Sequence, residues 1–113
     1  MVSELDVRRI RLSKNQALFR EVNERVERLS DGPVSYGRLS FVCECSHVDC
    51  AEQIQLSHEE YEHVRVASDH FVVKAGHEIA DVEDVVETRR NHVIVVKIGA
   101  GKEVAMAADP RRG

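Results

Sequence analysis

Residues 39–56, LSFVCECSHVDCAEQIQL, carry the most information about the fold. Leu39, Phe41 and Cys43 alternate with Ser40 and Val42, the period-two pattern of a half-buried strand. Glu52 to Leu56 alternates again, with Ile54 and Leu56 on one face. The stretch between them, Cys43 to Cys50, is polar and turn-like. The pattern predicts a β-hairpin with all three cysteines of the chain at its tip.

The cysteines are spaced C-x-C-x4-C: Cys43, Cys45 and Cys50. An odd number cannot pair completely within one chain. The first residues, MVSELDVRRI, show no apolar run before a small-residue cleavage site, so a cytoplasmic, reducing location is expected. There, clustered thiols serve metals more often than disulfides. Two cysteines at i and i+2 on a bending strand end can converge on one ion, and four intervening residues bring in the third. Zn2+ is the expected ion, because it takes thiolate and imidazole donors in a closed tetrahedron.

There is no fourth cysteine, so an imidazole is the natural candidate, and His77 in Gly76-His77-Glu78 is preferred. Gly76 permits a tight backbone approach, and a remote ligand lets the ion tie two parts of the chain together. His47 inside the cluster, His70, Asp49 and water remain as alternatives. His58, His63 and His92 read as surface or internally satisfied histidines. The expected metal set is therefore Cys43, Cys45, Cys50 and His77. Four protein ligands close a site, and three thiolates make any bound water less acidic, so structure is favoured over catalysis.

Outward from the hairpin, Ser57 and Glu60 form a capping box, with Leu56 and Tyr61 at the hydrophobic-staple positions. They predict a short helix over 58–66. Phe71-Val72-Val73 reads as a strand. Asp84–Thr88 fits a strand or a helical turn, and the run HVIVVKI, 92–98, is β-branched enough for a firm strand assignment. One helical turn is expected within 102–108. On the N-terminal side, Ser13 and Gln16 fit a capping box. Leu18, Val22, Val26 and Leu29, with Phe19 beside them, form an apolar stripe on a helix over 14–29. Its other face carries Arg20, Glu21, Glu24, Arg25, Glu27 and Arg28, with Glu21–Arg25 and Glu24–Arg28 as i,i+4 pairs. Residues 1–12 read as a basic arm or a short strand, and 30–38 as a linker. The fold class is α+β: an N-terminal amphipathic helix, a zinc-knuckle hairpin, a short second helix and a small antiparallel sheet. The arm, helix and linker occupy 1–38 and the knuckle domain 39–113, the two packing together as one unit.

Composition sets outer limits. The chain has 113 residues, which suits one compact domain. Only 4% of residues are aromatic and none is Trp, which argues against base-stacking platforms. The net charge of −4 argues against a dedicated nucleic-acid binder. Residues 1–20 carry five basic side chains against Glu4 and Asp6, so Arg8, Arg9 and Arg11 could still touch phosphate or an acidic partner. Arg111 and Arg112 read as a solvated terminus. No apolar run approaches the roughly 20 residues of a membrane helix, so no membrane partner is expected. The carboxylates Glu78, Asp81, Glu83, Asp84 and Glu87 read as a solvated face, lacking calcium-loop spacing. His77-Glu78 does not continue as HExxH, and no Walker, Rossmann or nucleophile-elbow pattern appears.

The quoted motifs resemble a group of small bacterial proteins, actinobacterial in type, with no assigned activity. The resemblance spans about residues 14–111: the helix around Asn15–Arg25, Phe41-Val42-Cys43-Glu44-Cys45, Cys50, Leu56-Ser57, Glu60-Tyr61, Phe71, Gly76-His77-Glu78 and Asp109-Pro110-Arg111. In that group proline often precedes Gly-His, where this chain has Ala75. The resemblance implies the layout and the ligand set, and no reaction. The expected function is thus a non-enzymatic, zinc-stabilised regulatory or adaptor protein acting through protein contacts. The alternatives are a nucleic-acid-associated transcriptional regulator using the basic arm and a thiol/zinc redox sensor.

Overall fold

The computed structural model describes residues 3–29, 37–47 and 49–111. The chain is α+β. In order come α1 (Glu4–Leu29), β1 (Arg38–Val42), β2 (Gln53–Ser57), α2 (His58–Val64), β3 (His70–Val73), β4 (Glu83–Thr88), β5 (Val93–Lys97) and α3 (Ala100–Ala107). The predicted linker lies mostly outside the described residues, as do Val48 and Arg112.

β1 and β2 form the expected hairpin, antiparallel with Phe41 opposite Ile54 and Leu39 opposite Leu56. The other three strands form an antiparallel sheet in the order β3-β5-β4, with Phe71 opposite Val95. β5 is central and is buried along most of its length, which its continuous β-branched run requires. β4 is a strand, irregular between Val85 and Glu87. The sheets meet where the Glu44 N–H donates to the Val72 carbonyl at 2.8 Å. The core beneath holds Phe41 stacked on Tyr61 (centroids 4.4 Å apart), with Ile54, Leu56, Phe71 and Val95. The Ser57–Glu60 capping box forms as predicted, fixing the start of α2.

α1 departs from the sequence reading in two ways. First, it begins at Glu4, so residues 4–12 are helix and not an arm or strand. The Ser3 hydroxyl accepts from the Asp6 N–H at 3.0 Å and caps the start; Ser13 and Gln16 are mid-helix. Second, the face turned to the core is the polar one. Ser13, Gln16, Arg20, Asn23, Glu24 and Glu27 are buried, with Leu12 and Ala17 beside them; of the expected apolar stripe Val26 is partly buried against the core, whereas Leu18, Val22 and Leu29 are exposed, Leu29 at 88%. The residues 13, 16, 20, 23 and 27 step by three and four, so they form one helical stripe. Each finds partners in the underlying layer that an apolar side chain would leave unpaired. Glu24 does not reach for Arg28. It accepts from Arg65 and Arg111.

Arg20 shows why this face is buried. Its guanidinium lies over the Phe71 ring, 4.6 Å from the centroid, and donates to the carbonyls of Ser68 and Ala105 at 2.6 and 2.7 Å. Guanidinium suits such a place because it is planar, weakly hydrated and permanently charged. Farther along, Ser13 donates to the Gly101 carbonyl at 2.7 Å and brings α3 against α1. Glu83 is also a correction: it is buried, not solvated, and pairs with buried Lys97 at 3.1 Å. Its second oxygen accepts from the Ile79 N–H.

Candidate metal centre

The knuckle is built at the point where β1 ends. The Cys43 N–H still bonds across the hairpin to the Glu52 carbonyl at 3.0 Å, and the Glu44 N–H turns to β3. This change of partner bends the chain between the two cysteines, so both thiols face the same side. Glu44, between them, points the other way into the core. A tight turn, with the Cys50 N–H on the His47 carbonyl at 3.0 Å, returns Cys50 to the cluster.

His77 arrives from the loop between β3 and β4. The His77 N–H bonds to the Lys74 carbonyl at 2.9 Å, and Gly76 has φ +91°, a conformation that disfavours any side chain. Glu78 stabilises the same turn by accepting from the Gly76 N–H at 2.8 Å. The imidazole Nδ1 then lies 3.6 Å from Cys43 Sγ and 3.6 Å from Cys50 Sγ. The donor atoms of Cys43, Cys45, Cys50 and His77 all lie within 4.8 Å of one another.

These distances test the fit of an ion. In a tetrahedron with sulfur about 2.3 Å and nitrogen about 2.0–2.1 Å from the metal, the S···N edges are about 3.5–3.6 Å. The two observed S···N separations match that edge. A hydrogen bond from the backbone N–H of Lys74 to Cys43 Sγ, at 3.2 Å, supports negative charge on the sulfur. Cys43 and Cys45 are buried, and Cys50 and His77 are half-buried.

The thiols are mutually perturbed. A hydrogen bond from Cys43 pulls Cys45 down to about 4, against the opposing effect of burial, with His77 helping. The same bond, followed by burial, pushes Cys43 up, and burial raises Cys50. Crowding therefore makes one thiolate easy to form and the others hard, a conflict that a cation removes. The four residues can hold a metal ion.

The remaining histidines sit elsewhere. The His47 ring is edge-on to His77 with centroids 6.4 Å apart, but it is not one of the clustered donors. His70 opens β3. His63 pairs with Glu87 at 2.9 Å, and buried His92 bonds Asn91 at 2.7 Å. At the opposite end of the chain Arg111 is not a free terminus: it bonds Glu24, Glu27 and Glu62.

Sequence reading overlooked Glu44. Its carboxylate accepts from Asn23 at 2.8 Å, Tyr61 at 3.1 Å and the Val72 N–H at 3.1 Å. Burial raises its pKa, against those hydrogen bonds. The available signal was the polar stripe of α1, which implies a polar receiving surface. No helix among the described residues is long and apolar enough to cross a membrane. No family model, curated protein or solved structure matches the chain.

Proposed function

We propose that the protein is a small non-enzymatic zinc protein whose Cys3His site is structural, and that it works through protein contacts. The carrying observation is the closed four-donor set, in which His77 meets thiols 27 and 34 residues away in sequence. Zinc suits three thiolates and one imidazole, leaves no position for a substrate water, and replaces apolar content that the knuckle lacks. The exposed side of α1, with Leu18, Val22 and Leu29, supplies the contact surface. The arm-based nucleic-acid reading is weaker, because Arg8 donates to the Asp81 carboxylate and Arg9 to the Asp81 carbonyl.

Native mass spectrometry of freshly purified protein tests the site, with wild type beside His77→Ala and Cys50→Ser. Zinc held by the wild type and weakened in both variants is the expected result. Zinc held as tightly by His77→Ala overturns the closed site and reopens a water-bearing, catalytic one. A cysteine-specific label added after chelation gives a second readout, since three thiols become reactive together only if one ion shields them.

A further inference from the structure

The end of α1 and the start of α2 gather a second set of donors, away from the cysteines. Glu27, His58 and Glu62 each offer one atom, and these atoms lie within 4.8 Å of one another. His58 and Glu62 are four residues apart on α2, so they share a face. Glu27 comes across from α1. His58 Nδ1 is 3.6 Å from Glu27 Oε2, too far for a hydrogen bond. That oxygen is buried and has no hydrogen-bond partner, on a side chain only 10% exposed. A buried carboxylate oxygen without a hydrogen-bond partner, facing an imidazole at ion-pair distance, can share an ion with it.

The charges around it point the same way. Arg111 holds Glu24, Glu27 and Glu62 at 2.8, 2.9 and 2.6 Å, and Arg65 holds Glu24 and Asp109. Four carboxylates thus face two guanidiniums. The carboxylates outnumber the guanidiniums that hold them. A divalent cation offsets the excess.

We propose that Glu27, His58 and Glu62 form a second divalent-metal site, independent of the cysteine centre. One imidazole and two carboxylates suit a borderline ion such as zinc, cobalt or manganese. His58 and Glu62 are partly exposed, so water completes the coordination. The first site is closed and sulfur-rich; the second is open and sulfur-free. An ion there fastens the last turn of α1 to α2, and through Arg111 to the C-terminal segment.

Cobalt(II) is the probe, because thiolate ligation gives a near-ultraviolet charge-transfer band that an oxygen–nitrogen site lacks. Titration of the full chain is followed by absorbance and by native mass spectrometry. The expected wild-type count is two ions, only one accompanied by the band. His58→Ala, at a partly exposed side chain, should keep the band and lose one ion, and Glu62→Gln should do the same. Cys50→Ser should lose the band while the band-free ion remains. A wild type that binds no band-free ion overturns the proposal, as do two ions retained in both His58→Ala and Glu62→Gln. Failure of the cysteine site shows separately, as absence of the band from the wild type.

Discussion

Asn23 Nδ2 donates to Glu44 Oε2 at 2.8 Å, joining the middle of the long helix to the residue between two of the clustered cysteines. The same amide brackets Val42, donating to its carbonyl and accepting from its N–H, both at 2.8 Å. One side chain thus prolongs the ladder of β1 by a rung and caps the carboxylate that anchors the knuckle. Gln16, two turns earlier, donates to the Glu44 carbonyl at 2.9 Å. The helix therefore holds the backbone of the cysteine cluster from behind.

Asn23→Ala should be far more damaging than a change on the apolar side of the helix. It strands two backbone groups of Val42 and removes a donor from a buried carboxylate. The expected loss is about 3 kcal/mol, from roughly 1–3 kcal/mol per unsatisfied buried group. Leu18→Ala, on the exposed face, should change stability by no more than about 0.5 kcal/mol. Urea denaturation of the two variants decides which face of α1 is the inner one. Equal effects, or the larger loss at Leu18, would refute the polar-face packing.

Gly101→Ala sets helix propensity against packing. Alanine is favoured by about 1 kcal/mol inside a helix. A Cβ at this position would lie 2.9 Å from the Arg9 carbonyl oxygen and 3.3 Å from Ser13 Cβ. Backbone cannot swing aside, so α3 must move off α1 and stretch the Ser13–Gly101 hydrogen bond. Overpacking of this kind costs about 1–3 kcal/mol, and the net expectation is a lower melting temperature. A rise on thermal unfolding would show that the two helices do not meet this closely.

The hairpin, the short helix and the central strand were legible because each carries a local signal: period-two alternation, the Ser57–Glu60 box, and the valine run of β5. The four residues of the cluster were nameable because thiols and a Gly-His turn have few other uses at such spacing. The orientation of α1 was not legible by hydrophobicity. Leu18, Val22 and Leu29 mimic a core stripe, while the true inner stripe is Ser13, Gln16, Arg20, Asn23 and Glu27. Burying it is favourable only because Glu44, Ser68, Ala105 and Gly101 present partners, and those lie 21 to 88 residues away in sequence. The Lys97–Glu83 pair was hidden for the same reason. A charged residue on a strand reads as solvent-facing until its partner's position is known.

Glu60 predicts an acid-side loss of stability. Hydrogen bonding from the Ser57 backbone, aided by Arg38, holds its carboxyl below the ordinary value of 4.5. The folded form therefore binds this proton less tightly than the unfolded chain. The contribution is fully present above the ordinary carboxylate value and disappears as pH falls through the folded one. Glu60→Gln keeps an acceptor for the Ser57 N–H but has no charge to lose. Its stability deficit relative to wild type should be constant around neutrality and shrink steadily below about pH 4.5. Denaturation midpoints across that range test it; a deficit that persists unchanged in acid would rule out the ionised cap.

Metal removal should act first on the seam between the sheets. The cysteine centre joins the knuckle to the β3–β4 loop, and Glu44 N–H to Val72 O is the hydrogen bond closest to that joint. Without an ion the knuckle loses its link to His77, whereas β5 keeps both neighbouring strands. An ion present at a hundredfold excess over its dissociation constant stabilises the native state by about 2.7 kcal/mol, and a chelator withdraws that amount. Binding displaces protons from thiols, so apparent affinity should fall as pH falls, in the sense opposite to proton uptake. Hydrogen exchange with and without chelator provides the measurement. The Cys43 and Glu44 amides should lose protection before those of Ile94 and Val95. If the β5 amides open together with the knuckle, the ion supports the whole fold; if neither set changes, it does not stabilise the protein at all.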